Sequence, residues 1–136
     1  MPRRTSPNSS ATTPLDPAEV SETIRAFARP LLYLDPAGPA DLETLRTAML
    51  LAMMCWNLPV YEATNSRLHT HTKQALVAAL ELVSAPVRAC LRQLIADRRT
   101  KFNALMFPVI VEVHGSSLAD AQIVAQAKPL PQKTVS

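Results

Sequence analysis

Ala48-Met49-Leu50-Leu51-Ala52-Met53-Met54-Cys55-Trp56 is an unbroken run of nine apolar residues, and its reading decides the fold. A helix that crosses a bilayer needs about 20 apolar residues, so this run must be wrapped by protein. It grows out of an amphipathic start that opens near Pro39 to Asp41. There Leu42, Leu45 and Met49 face one way while Glu43, Arg46 and Thr47 face the other. A helix that turns apolar on every side has neighbours on every side. It is expected at the centre of a bundle, with Pro59 bending or ending it.

Upstream, Asp16-Pro17-Ala18-Glu19 marks a helix start: a capping carboxylate, proline at the first helical position and an acid in the first turn. Val20, Ile24, Phe27, Leu31 and Leu34 continue it at helical spacing, and Pro30 is expected either to kink or to break it. Asp35-Pro36-Ala37-Gly38-Pro39 is a loop. Downstream, Thr64-Asn65-Ser66 reads as a turn into a third helix with Leu76, Ala79, Leu80 and Val83 inward. Ser84-Ala85-Pro86 opens a fourth, striped by Val87, Leu91, Leu94, Ile95 and Phe102.

The period then changes. Val109-Ile110-Val111-Glu112-Val113, between Pro108 and Gly115, is a strand signal. A lone strand leaves its backbone groups unpaired, so it needs a partner strand. Ser117 to Ala127 is expected to form a short helix, with Ser117 and Asp120 as a capping box. The fold class is therefore mainly α: a four-helix bundle-like core with one short C-terminal strand. The domain runs over 16–115. Residues 1–15, rich in Ser, Thr and Pro, read as a disordered tail, and 116–136 as the short helix and a flexible tail.

Composition agrees. The 136 residues are 48% hydrophobic and 18% charged, enough to bury a core. Two glycines against twelve prolines leave little room for β-rich folds or phosphate-cradling loops. The net charge of +3, with Arg3 and Arg4 in the tail, is too small to imply a polyanion partner. No apolar leader follows Arg4, and Cys55 and Cys90 sit in apolar helical stretches without a CxxC pattern. A cytoplasmic location follows as the expectation, with no membrane anchoring.

Trp56-Asn57 closing one apolar helix, and Arg98-Arg99-Thr100-Lys101-Phe102 closing another before a short strand, together resemble a group of small uncharacterised bacterial helical proteins. The resemblance covers about Val20 to Val113. It implies the architecture and carries no activity.

Five residues form the candidate binding site: Trp56, Asn57, Tyr61, Glu62 and Arg98. On a helical wheel Arg98 falls between Leu91 and Leu94, in the middle of an apolar stripe. A guanidinium there must meet a carboxylate, with Glu62 and Asp41 as candidates, or several carbonyls. An internal structural role is the commoner outcome. Trp56, Asn57, Tyr61 and Glu62 gather at the Pro59 bend, where a carboxylate beside polar and aromatic groups can serve as a base or ligand contact. More often such groups satisfy backbone that a proline frees.

No catalytic residue is assigned, since G-x-S-x-G, GxxxxGK and GxGxxG are all absent. His69 and His71 are two apart, which puts them on different sides of a helix, so no metal and no cofactor is expected. The reading is a non-enzymatic protein-interaction module, with Val109, Ile110, Val111, Glu112 and Val113 as the interface to a protein partner or to a second copy as a homodimer. Two alternatives stand beside it. One is nucleic-acid association through Arg88, Arg92 and Arg99 on the 86–102 helix, although a solvated face explains these residues as well. The other is an unrecognised enzyme using Glu62 with Arg98.

Overall fold

The computed structural model describes residues 16–64 and 67–128. The tail assigned to 1–15, the turn at Asn65-Ser66 and the tail beyond Lys128 lie outside the described residues.

Four helices and a hairpin follow in order: α1 (Pro17–Leu32), α2 (Leu42–Ala63), α3 (Arg67–Leu82), α4 (Ala85–Thr100), β1 (Val109–His114), a 3-10 turn (Leu118–Asp120) and β2 (Gln122–Ala127). The fold is mainly α with a small antiparallel hairpin. Local chemistry starts each helix where it begins. The Asp16 carboxylate accepts the Glu19 N–H at 3.0 Å, and Asp41 accepts both the N–H and the hydroxyl of Thr44 at 2.8 and 2.7 Å. These bonds hold both carboxyls below their ordinary pKa of 3.8. Ser84 caps α4 in the same way.

Neither internal proline ends its helix. α1 runs past Pro30 to Leu32, and α2 runs past Pro59 to Ala63. Each lacks one donor, but the packing around it outweighs that loss: Leu31 just beyond Pro30 is buried, and so are Pro59 and Val60.

The central position of α2 holds. It touches α1, α3, α4 and β1. Leu51, Ala52, Cys55, Trp56, Leu58 and Val60 are all buried, while Leu50 is exposed and Met53 and Met54 are half-buried. No helix among the described residues is long and apolar enough to cross a membrane.

The expected helix over 117–127 is a correction. The Ser117–Asp120 box forms, but it closes only one 3-10 turn, and Ala121 is already extended at φ −70°, ψ 137°. Ile123 and Val124 then pair with β1, in the register Val109↔Ala127, Val111↔Ala125 and Val113↔Ile123. Two demands override the local helix signal: the β-branched pair favours a pleated surface, and β1 needs a ladder. The domain therefore extends through 127, and the strand has a partner from its own chain. Gly115 makes the bend possible at φ +134°, where an added Cβ would lie 2.9 Å from the Asp120 carbonyl oxygen.

Candidate functional site

Arg98 is the most buried charged group described, 1% exposed. It meets neither Glu62 nor Asp41. Its Nε donates to the Trp56 carbonyl at 3.0 Å, and its two terminal nitrogens donate to the carbonyls of Phe102 and Leu105. The guanidinium carbon lies 3.8 Å from the centroid of the Trp56 ring, a cation–π contact in a dry setting. Burial pulls its pKa down to about 10, so it remains charged at neutral pH. Three carbonyls and a ring satisfy a cation that pairs with no carboxylate among the described residues.

Around it sit all three phenylalanines and the single tryptophan of the chain. Phe27, Phe102 and Phe107 lie 5.2, 5.6 and 5.9 Å from the Trp56 ring. The Trp56 N–H donates to the Phe107 carbonyl at 2.8 Å. Arg98 and Trp56 together fasten the connection from α4 to β1. The arrangement directs all three guanidinium nitrogens of Arg98 to the chain's own backbone.

Asn57 continues the same work. Its side-chain amide donates to the Val109 carbonyl at 3.0 Å and accepts the Val109 N–H at 2.8 Å. It thus imitates one residue of a neighbouring strand along the outer edge of β1. Ser21 of α1 does the same for β2, exchanging bonds with the carbonyl and N–H of Ala125 at 3.3 and 3.0 Å.

Tyr61 and Glu62 are not drawn into this cluster. Tyr61 is half-buried, and Glu62 is at the surface, paired with Arg99 at 3.0 Å and near His69 at 3.8 Å. The five candidate residues thus divide into a buried clasp (Trp56, Asn57, Arg98), a half-buried Tyr61 and a surface Glu62, and Glu62 and Arg98 share no partner.

The basic face of α4 is largely spent on its neighbours. Arg88 donates to the Leu80 and Val83 carbonyls at 2.7 and 3.1 Å, closing the end of α3. Arg99 is held by Glu62, and Lys101 lies 3.7 Å from Asp97. Of the expected stripe, Arg92 alone has no partner among the described residues, and a phosphate-binding surface needs several free cations. Cys55 and Cys90 are free and buried, and burial pushes the Cys55 thiol up to about 12. No group of three metal-ligating side chains occurs among the described residues.

On β1, Val109 is buried and Val111 and Val113 half-buried, while Ile110, Glu112 and His114 are exposed, the alternation expected of the strand. In an antiparallel ladder, residues alternate between facing the partner and facing away. Val109 and Ala125 face away, since Asn57 and Ser21 take their backbone groups. By the period of two, so do Val111, Val113 and Ile123. These three have no backbone partner among the described residues.

Sequence reasoning passed over one site. A cleft of about 680 Å³ opens between α1 and β2, lined by Ser21, Arg25, Arg29, Tyr33, Leu118 and Ile123 among others. Arg25 and Arg29 are exposed, and neither has a carboxylate partner among the described residues. The signal available was a like-charged pair at i and i+4 on the outward side of the first stripe, but what stands opposite that pair comes from residues almost 100 positions away. No family model, no curated protein and no solved structure matches the chain.

Proposed function

We propose that the chain is a non-enzymatic protein-interaction module that associates with a second copy of itself through the outer edge of β1. One observation carries this reading: the outward N–H and C=O groups of Val111 and Val113 lack partners among the described residues, between two positions that α2 already holds, Val109 through Asn57 and the Gly115 carbonyl through Arg46 at 3.2 Å. Unpaired strand edges accept other chains. With Val109 and the Gly115 carbonyl both taken, the register that pairs only unoccupied groups sets Val111 of one copy opposite Val113 of the other, across a two-fold axis. Four hydrogen bonds then join two hairpins into one four-stranded sheet. Glu112 stands opposite its own counterpart in that register, a like-charge contact that limits the affinity.

Light scattering over a concentration series tests this. The expected result is a reversible dimer that Val111→Pro abolishes and Glu112→Thr tightens. The Val111 N–H faces away from β2, so the proline removes an edge donor without removing a hairpin bond. A wild-type chain that stays strictly monomeric at millimolar concentration overturns the proposal.

A further inference from the structure

We infer that the cleft between α1 and the free edge of β2 is a binding groove for an extended acidic peptide. The inference stands on the other strand and is independent of association through β1.

The groove has two unlike walls. One is the backbone of β2. Ser21 occupies the edge at Ala125, and one pleat further on the N–H and C=O of Ile123 point to the same side with nothing bonded to them. Gln122, Ile123 and Val124 all line the cleft. A main-chain donor and acceptor presented side by side suit an extended chain, which returns an acceptor and a donor at the same spacing.

The other wall is α1, which supplies Arg25 and Arg29 one turn apart. Arg25 spends only its Nε, at 3.4 Å from the Ser21 carbonyl, and Arg29 lies over the Tyr33 ring with its guanidinium carbon 5.2 Å from the centroid. The terminal nitrogens of both remain free among the described residues. At the cleft's Leu118 end, the Asp120 carboxylate is turned to the N–H groups and hydroxyls of Ser116 and Ser117.

Spacing then selects the ligand. Side chains at i and i+4 of a helix are about 6 Å apart, and alternate side chains of an extended strand about 6.7 Å apart. A peptide with carboxylates at every second residue therefore meets both arginines while its backbone joins Ile123. Leu32 and Leu45, which also line the cleft, provide an apolar floor for what remains. The volume is in the range of ordinary ligand pockets.

The test is a titration of the full-length, amide-labelled chain with a capped peptide of three Val-Glu repeats, followed by two-dimensional NMR. Shifts of the Ile123 amide and of the Arg25 and Arg29 side-chain resonances, with none from a Val-Lys peptide of equal length, are the expected result. Arg25→Gln and Arg29→Gln should each weaken binding about tenfold, the worth of one charge-assisted bond. The double variant Arg25→Glu with Arg29→Glu should transfer the preference to the Val-Lys peptide. Both side chains are exposed, and unchanged amide spectra elsewhere verify folding. Three results overturn the inference: no shift at Ile123 with the acidic peptide, equal response to both peptides, or the same affinity for free glutamate as for the peptide.

Discussion

α2 and α3 are both rich in Leu and Ala, yet they live in different environments. α2 buries ten of its 22 residues, whereas α3 buries Leu76 alone out of 16. Leu68, Val77 and Leu82 of α3 are 45%, 48% and 87% exposed. The difference lies in neighbours. α2 is enclosed by α1, α3, α4 and β1, while α3 leans on α2 and touches α4 lightly, with Arg88 holding its last carbonyls. Apolar content states what a helix can bury, and the number of elements around it decides what it does bury.

The largest break in this comparison comes from the buried side. Arg98→Met removes the cation but leaves the Phe102 and Leu105 carbonyls without their donor beside the Trp56 ring. A loss of about 3–5 kcal/mol in denaturant unfolding is expected, as for other disrupted buried charge networks. A loss below about 1 kcal/mol would show that the clasp is incidental.

Asn57→Ala comes next. It leaves both backbone groups of Val109 without a partner, and about 2–3 kcal/mol should be lost, with faster amide exchange across β1 before α2 is affected. Uniform exchange over both elements would contradict the role of the amide as a strand substitute.

The smallest effect belongs to α3. Leu82→Ser should change stability by no more than about 0.5 kcal/mol, since little contact is lost at 87% exposure. Native-state exchange should meanwhile show α3 opening at a lower free energy than α2. Equal protection in the two helices, or a Leu82→Ser cost above about 1 kcal/mol, would mean that α3 is covered by something the isolated chain does not supply.

Periodicity made the helices legible: Val20, Ile24, Phe27 and Leu31 are buried as a stripe, and so are Leu91 and Leu94. Arg98 was legible as an anomaly, a cation on an apolar face, although its partners were not. Carbonyls on the connection after α4 are as invisible to a helical wheel as to a motif. The 117–127 segment misled because its capping box is real. A cap starts a turn, but it does not decide whether the chain continues as helix once a strand stands waiting for a partner. The Arg25–Arg29 cleft was missed because its two walls are far apart in the chain.

By itself the order of residues determined where helices begin, which faces are apolar, and that a nine-residue apolar run must be enclosed, because these follow from local geometry and short-range periodicity. Only the tertiary structure decided which polar groups satisfy which. Arg98 settling on carbonyls, Asn57 and Ser21 standing in for strands, and Ile123 sharing a cleft with Arg25 and Arg29 each depend on segments brought together from distant positions, and no local spacing encodes that meeting.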